Sequence, residues 1–333
     1  PTEYTTRRYV NEAIGGSSVI WFEAISIVEE GRSSKTQLLL TRDTLDEFKK
    51  MTAAVKEAGM KANGYAPYLI MQANHSGRYS NPGNKPAPMI AYRHPILEQY
   101  RAADDSCIVT DDYLKSLEEK FGEASALAKE AGFDAIDIKS CHGYLLAELS
   151  SAYNRPGDFG GSFENRTRFL RESIQAAKAA VSSDFCVASR LNIYDGFPYP
   201  YGFGVSENGG VEPELSEAVK LVGILHKDLG LPLLDITIGN PYFNPHVNRP
   251  ADIQPYESPE DPLVGVARML ACTKTIQDAY PDLVLIGSGL SYLRQFAPQL
   301  AAGGIENGYF KLAGFGRLSF ADPDFPREGL AGR

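Results

Sequence analysis

The feature that most constrains the fold of this chain is a regular alternation of two kinds of segment. Short apolar runs rich in β-branched residues alternate with longer segments whose apolar residues have helical spacing. The apolar runs are residues 18–25, 68–73, 134–140, 185–191, 233–239, 283–289 and 310–316. Because these runs are apolar almost throughout, we expect strands buried on both faces, as in a parallel sheet. Repeated βα units of this kind predict an α/β fold.

The longer segments predict helices over residues 41–59, 111–132, 162–181, 213–230 and 261–280, with a short helix after residue 291. Gly59, Gly132 and Gly230 are interpreted as stop signals, and Pro213 and Pro262 as prolines of a first helical turn. Residues 2–16, before the first apolar run, are interpreted as a loop and a helix.

The seven predicted strands are one fewer than the eight that close a (β/α)8 TIM barrel. We therefore predict such a barrel lacking its first strand, with the missing strand upstream of residue 1. Residues 1–333 are predicted to form one domain that is truncated at its N-terminus. The sequence does not decide whether the domain is also truncated at its C-terminus. An open doubly wound sheet is the alternative.

Loop lengths indicate where function lies. The links from helix to strand are short, whereas three links from strand to helix are long, at residues 73–110, 192–212 and 240–260. All three follow the carboxyl ends of strands, where barrel active sites lie. The last two carry aromatic residues that we expect to wall a pocket for a flat ligand: Tyr194, Phe197, Tyr199, Tyr201, Phe203, Tyr242 and Phe243.

Composition excludes several classes of protein. The formal net charge of -9 argues against a general binder of nucleic acid or of anionic membranes. No run of about 18 apolar residues is present, so we expect no membrane span. The four cysteines form no Cys-x-x-Cys pair. They are interpreted as reduced thiols of a cytoplasmic protein, and we expect neither a disulfide framework nor a metal site.

Two glycine turns follow the last two predicted strands. They are "GSG" with Gly287 and Gly289, and "GFGR" with Gly316 and Arg317. Backbone N–H groups at such turns bind phosphate, and the end of the last two barrel strands is the usual phosphate site. One glycine turn means little, because turns need glycine anyway. Two adjacent turns followed by an arginine predict a phosphate-binding site.

The chain resembles the old yellow enzyme family, the FMN-dependent NAD(P)H:flavin oxidoreductases, over nearly all of residues 1 to 330. Four motifs carry the resemblance: "MQANHSGR" (71–78), "HGYLLAELSSAYNRPGDFGGSFENRTRF" (142–169), "GSGLSYLRQF" (287–296) and "GFGR" (314–317). The second motif is long and highly specific. The resemblance implies a (β/α)8 barrel, in agreement with the strand count.

The resemblance also implies a set of FMN contacts. Gln72 corresponds to a glutamine that bonds the flavin pyrimidine ring, and the backbone of Ala24 lies against that ring. Arg190 corresponds to the arginine beside flavin N1 and O2, where a fixed cation favours the reduced, anionic cofactor. Gly289, Gly316 and Arg317 correspond to phosphate contacts.

The implied catalytic residues follow the third predicted strand. NADH or NADPH reduces FMN, which then passes hydride to an activated alkene of the enone, enoyl or dienoyl type. His142 and the residue three positions before it, here Lys139, bind the substrate's carbonyl or nitro oxygen. Tyr144 corresponds to the proton donor.

Position 139 departs from the family. The commonest pattern is His-x-x-His or His-x-x-Asn, whereas this chain has Lys139-x-x-His142. The lysine puts the usual enone substrates in doubt. It also admits two other interpretations: an ion pair with Glu23 or Asp137, or the nucleophile of a Schiff-base lyase. A non-catalytic flavin-binding barrel is a further alternative.

The motif at 142–169 resembles the branch of larger 2,4-dienoyl-CoA reductase-like enzymes. In those enzymes a cysteine-rich iron–sulfur segment follows the barrel. The cysteines of this chain do not support an iron–sulfur cluster within it. We expect a small-molecule substrate, no nucleic acid or membrane partner, and a possible homo-oligomer.

Overall fold

The seven apolar runs form one sheet of parallel strands, paired in chain order from first to last. This arrangement is seen in a computed structural model, which describes residues 1–253 and 256–332. The strands are β1 Val19–Ser26, β2 Tyr68–Asn74, β3 Ala135–Ile138, β4 Cys186–Asn192, β5 Leu233–Thr237, β6 Val284–Gly287 and β7 Leu312–Ala313. The sheet curls as a half-barrel, which confirms the predicted α/β barrel class and excludes the doubly wound order.

Helices follow or precede each strand. They are α1 Glu3–Ile14, α2 Leu45–Asn63, α3 Asp111–Glu130, α4 Leu145–Ser150, α5 Phe163–Arg166, α6 Arg168–Ala179, α7 Ser216–Gly223, α8 Pro245–Asn248, α9 Pro262–Ala279, α10 Ala297–Glu306, α11 Leu318–Ala321 and α12 Phe325–Leu330. Within residues 1–253 and 256–332, none of the helices combines the length and apolar character needed to span a bilayer.

The core lies between the sheet and the helices. All four residues of β3 are buried, as expected for a parallel strand covered on both faces. Phe48 of α2, Phe121 of α3 and Phe169 of α6 point into this core and are almost fully buried. The rings of Phe121 and Phe169 lie 6.1 Å apart, edge to face.

The two ends of the described chain meet beside the sheet. The backbone N–H of Arg327 donates to the carbonyl of Gly15, at 3.0 Å. The Arg8 guanidinium of α1 lies over the Phe320 ring of α11, 5.0 Å from its centroid. In the described part of the chain, β1 pairs only with β2 and β7 only with β6. The expectation of a further strand upstream of residue 1 stays a prediction.

The predicted end of the second helix is wrong. Helix α2 continues past Gly59 to Asn63 and ends at Gly64, which adopts a left-handed conformation with φ of 80°. Gly59 has another purpose, because a Cβ there would approach Cδ of Pro67 to 2.6 Å. It allows the chain that returns to β2 to pack closely on the helix.

Two other helix boundaries also differ from the prediction. Helix α7 begins at Ser216, not at Pro213, because Pro213 forms an isolated bridge with Val205 within the preceding loop. Residues 162–181 form two helices, α5 and α6, with Thr167 between them. The stop at Gly230 is confirmed after a π-helical turn over Ile224–Asp228.

A buried ion pair joins the long loop after β2 to helix α4. Arg78 is fully buried, and its Nε donates to Oε1 of Glu148 at 2.7 Å. The second carboxylate oxygen of Glu148 accepts the backbone N–H of Ala91 at 3.1 Å, and Arg78 also donates to the carbonyl of Tyr92 at 3.1 Å. The loop and the helix are therefore held together by charge and by backbone hydrogen bonds.

We predict that Arg78→Met destabilises the protein by about 3–5 kcal/mol, because it leaves the buried Glu148 carboxylate without its cation. Urea unfolding followed by circular dichroism measures this change. Lys115→Met is the matched control, because Lys115 pairs with Asp158 in an exposed ion pair, at 2.9 Å. Equal midpoints for the two variants would contradict the structural importance of the pair.

Candidate functional site

The strand register aligns the first site residues in one row. Ala24 of β1 is paired with Gln72 of β2, and Gln72 is paired with Asp137 of β3. On the next pair of strands, Arg190 of β4 lies beside Asp235 of β5. Because the strands are parallel, their carboxyl ends meet at one edge of the sheet, and these side chains lie there together.

Asp137 is the centre of this row. Its Oδ2 accepts hydrogen bonds from Gln72 Nε2 at 2.7 Å and from Trp21 Nε1 at 2.9 Å. Its Oδ1 accepts the backbone N–H of Arg190 at 2.6 Å. Burial raises the pKa of Asp137 to about 6. Sequence reasoning considered Asp137 only as a partner for Lys139. Its position within a strand that is otherwise apolar was the signal for a larger role.

The bond to Asp137 fixes the orientation of Gln72. The amide nitrogen is used by Asp137, whereas the amide oxygen makes no hydrogen bond within residues 1–253 and 256–332. An acceptor is therefore presented at the edge of the sheet. This geometry fits a cofactor ring that carries an N–H group.

Arg190 is held by a second carboxylate. Its Nε lies 2.9 Å from Oδ2 of Asp235, and Oδ1 of Asp235 accepts the Ser288 hydroxyl at 2.5 Å. Arg190 thus forms an ion pair with Asp235. Its side chain is nevertheless 27% exposed, so the ion pair does not bury it completely. Asp235 links the arginine to the "GSG" turn.

Lys139 has no anionic partner within the described residues. Glu23 pairs with Arg8 at 3.0 Å, and Asp137 is engaged as described above, so both proposed ion pairs of Lys139 are wrong. Lys139 is 4% exposed, and its ammonium lies 4.2 Å from the centroid of the Tyr144 ring. Burial lowers the pKa of Lys139 to about 8.

His142 lies in a sharp turn after β3. Its φ is 65°, and Gly143 follows with φ of 66°. The backbone approaches Asn240 so closely that a Cβ at Gly143 would overlap the Asn240 amide. Burial holds the pKa of His142 well below its usual value, and the charges of Arg190, Lys139 and Arg249 lower it further. The imidazole is therefore neutral and carries one N–H donor.

Tyr144 is protonated and belongs to a tyrosine cluster. Burial and the neighbouring Tyr242 raise its pKa well above the usual value. Its hydroxyl lies 2.8 Å from that of Tyr242, and the Tyr242 ring stacks on Tyr79 at 3.9 Å. The His142 ring is perpendicular to the Tyr144 ring, 6.4 Å away. The structure thus brings all three predicted catalytic residues together.

The two glycine turns lie side by side. The N–H of Gly314 donates to the carbonyl of Gly287 at 2.8 Å. Gly289 has φ of 80°, and a Cβ there would overlap the Met269 sulfur. Around Gly316 the space is open, and Arg317 beside it is exposed. These turns fit a phosphate group.

The charge of Arg249, which sequence reasoning did not consider, reaches two residues of the candidate site. Burial lowers the pKa of Arg317, and the charge of Arg249 lowers it further, as it does for His142. Arg249 therefore acts both on Arg317, beside the glycine turns, and on the turn at His142 and Gly143, which is called the catalytic turn below. Its position at the end of α8, inside a long loop, gave no signal in the sequence.

The aromatic wall is only partly as predicted. Tyr194 and Phe203 pack in the core. Phe197 stacks on Phe243 at 4.4 Å. A small cavity beside the catalytic turn is lined by Gly143, Asn240, His94, Asp195, Phe197 and Tyr201.

His75 and Cys141, which follow the ends of β2 and β3, have structural roles. His75 is buried: its Nδ1 accepts the N–H of Gly77, and its Nε2 lies 3.0 Å from the Tyr113 hydroxyl. Cys141 is fully buried, and burial raises the pKa of its thiol to about 12. Among the described residues, no group of three or more His, Cys, Asp or Glu side chains is placed to hold a metal ion.

Comparison with known proteins identifies the family. The family model "NADH:flavin oxidoreductase / NADH oxidase family" matches residues 2–332. The chain belongs to this family. It is 28% identical to the NADPH dehydrogenase of Clostridium acetobutylicum over 96% of its length and 86% of that relative. It is 36% identical to the NADPH dehydrogenase of Bacillus velezensis over 51% of its length, and that alignment spans about half of the relative, 48%.

Solved structures agree with the fold. The old yellow enzyme homologue from Zymomonas mobilis superimposes with a TM-score of 0.73 at 20% identity, over 100% of this chain and 84% of that one. As a member of the NADH:flavin oxidoreductase family, the chain is an old yellow enzyme-type flavoprotein. FMN and NAD(P)H dependence are thereby confirmed at the level of the family. The residues that contact FMN stay predictions.

We predict that Asp137→Asn weakens FMN binding by about tenfold or more. The amide nitrogen of asparagine replaces one acceptor oxygen, so it faces either the Arg190 N–H or the donors of Trp21 and Gln72. Titration of the cofactor-free protein with FMN, followed by fluorescence quenching, measures the affinity. Asp134→Asn is the control, because Asp134 precedes the amino end of β3 and pairs there with Lys56. A normal FMN affinity in Asp137→Asn would remove Asp137 from the cofactor site.

Proposed function

We propose that the protein is an NAD(P)H-driven, FMN-dependent reductase of activated alkenes. The observation that carries this proposal is the convergence of a protonated phenol, Tyr144, with two donors, Lys139 and His142, at the carboxyl edge of the sheet. A reaction that adds hydride and then a proton to an alkene needs both kinds of group.

FMN, when bound, supplies the hydride that it has accepted from NADH or NADPH. Gln72 and Arg190 would hold its ring, with the backbone of Ala24, and Gly287, Gly289, Gly316 and Arg317 would hold its phosphate. Ordered contacts along one sheet edge would keep the ring at a fixed distance from the catalytic turn.

Lys139 and His142 would bind the oxygen of the substrate's activating group. Each donates a hydrogen bond to the atom on which negative charge develops, which lowers the energy of the transition state. Tyr144 would then protonate the α-carbon. The ammonium of Lys139, 4.2 Å from its ring, would stabilise the tyrosinate that this step leaves.

The lowered pKa of Lys139 supports a second candidate, a Schiff-base lyase. Borohydride reduction in the presence of a carbonyl compound would trap an adduct on Lys139 if this function were correct. Absence of the adduct excludes it. Steady-state oxidation of NADPH with an alkene acceptor separates the reductase from a barrel that binds flavin without turnover.

The ligand class, the location and the oligomeric state of the protein are also part of the proposal. The acidic net charge of -9 supports a small-molecule substrate rather than nucleic acid or an anionic membrane. Four unpaired cysteines support a cytoplasmic location. Light scattering at several protein concentrations tests for a homo-oligomer.

We predict that Tyr144→Phe slows reoxidation of the reduced enzyme by an alkene by about 10²–10⁴-fold, because the proton donor is lost. Reduction by NADPH should stay normal, since it needs no such proton. Stopped-flow absorbance separates the two half-reactions. Tyr153→Phe, a conservative change outside the catalytic cluster, is the control. Equal effects on both half-reactions would contradict a role as proton donor.

The pH dependence of the same step should report on Lys139. Because burial lowers the pKa of Lys139 to about 8, the ammonium is lost as the pH rises through about 8. Alkene reduction should fall over that range, whereas an ordinary lysine would stay charged. Lys139→Arg, whose guanidinium keeps its charge, should not show this fall when stopped-flow rates are measured against pH. If the rate of alkene reduction still falls at high pH in Lys139→Arg, the fall is caused by another titrating group.

A further inference from the structure

The cleft contains an ammonium without a counter-ion. Lys139 is 4% exposed, and within residues 1–253 and 256–332 its side chain makes neither an ion pair nor a hydrogen bond. The nearby carboxylates have other partners. Asp235 is paired with Arg190 and Ser288. Both oxygens of Asp137 accept hydrogen bonds from neutral donors, so Asp137 acts on Lys139 through its charge alone and not through a direct ion pair.

Positive charge prevails around the catalytic turn. Arg190, Lys139 and Arg249 all act on the imidazole of His142. Arg190 is paired with a carboxylate of the same row, Asp235, whereas Lys139 forms no ion pair within residues 1–253 and 256–332. A buried cation is costly unless it is paired, so this region favours a ligand that brings a negative charge.

We propose that the activating group of the substrate is a carboxylate, and that Lys139 is the residue that selects it. This inference rests on the proposed alkene reductase function. The substrate class is an α,β-unsaturated carboxylate, whose two oxygens would be bound by the Lys139 ammonium and the His142 N–H.

Electron counting explains why such a substrate needs a full positive charge. Hydride, with the electron pair that NAD(P)H supplied, forms a C–H bond at the β-carbon while the C=C π bond breaks. The π electrons move toward the carboxylate and create an enediolate with two negative charges. A neutral enone would create only one. Tyr144 then gives its proton to the α-carbon, leaves as tyrosinate and regains a proton from water.

A neutral donor cannot meet this demand. The imidazole of His142 is uncharged and gives one hydrogen bond. An ammonium in a site of low dielectric stabilises a developing second charge far more strongly. Lysine at position 139, where the family usually has histidine, therefore matches an acid substrate rather than a ketone.

Binding without turnover tests the inference. The FMN-loaded protein is titrated with 3-phenylpropanoate and with its neutral counterpart 3-phenylpropanamide, both saturated and unreactive, and calorimetry measures each affinity. We expect the carboxylate to bind at least about tenfold more tightly than the amide. Lys139→Met should abolish that preference. Lys139→His should shift turnover from the unsaturated acid toward the corresponding neutral enone.

Lys115→Met, remote from the cleft, should keep the preference, and circular dichroism establishes that each variant is folded. Lys139→Gln replaces Lys139→Met if the latter fails to fold. Equal affinity for the two ligands, or a preference that survives in Lys139→Met, overturns the inference. A Lys139→Met protein that keeps both ligand affinities and differs only in the reduction potential of FMN also overturns the inference. Lys139 would then be the partner of the reduced, anionic cofactor and not of the substrate.

The experiment separates this inference from the proposed function. If the wild type reduces a neutral enone but does not prefer the carboxylate, the alkene reductase function stands and the selection by Lys139 is wrong. If the carboxylate binds preferentially and no alkene is reduced, the reductase function fails although the anion site is real.

Discussion

The buried ion pair between Arg78 and Glu148 is the interaction on which the site depends. Arg78 belongs to the loop after β2, and Glu148 lies in the first turn of α4, the helix that Tyr144 begins. The pair fixes the helix against that loop, and through Ala91 and Tyr92 it also fixes the middle of the loop. Two motifs that are far apart in the sequence are therefore the two halves of one contact, and the position of the phenol follows from it.

Carboxylates at the sheet edge orient the groups that face the ligand. Asp137 turns the amide of Gln72, and Asp235 holds Arg190 and reaches the Ser288 turn. Among the described residues, the oxygens of both acids are bound by other donors, so neither acid forms an ion pair with Lys139. In the proposed function, the carboxylates that orient the FMN contacts therefore leave the Lys139 ammonium to the substrate.

Much of this architecture follows from local sequence. Continuous apolar runs located all seven strands, and the residues after them located the catalytic turn, because parallel strands bring their carboxyl ends together. Other features needed the folded chain. Gly59 does not end a helix, because its hydrogen atom makes room for Pro67. Arg249 and Tyr79 lie in long loops, whose course no periodicity describes. In the sequence, Asp137 is only one polar residue within an apolar strand. The structure shows that it accepts hydrogen bonds from three donors.

The backbone at His142 limits how such a cleft can vary. Positions 142 and 143 both have left-handed φ values. Among residues with a side chain, asparagine, aspartate and histidine tolerate that conformation best. This matches the histidine or asparagine at the second position of the family pattern. Position 139 follows a regular strand and carries no such restriction. The proposed selection of substrate charge therefore falls to position 139, where a lysine can replace a histidine without altering the turn.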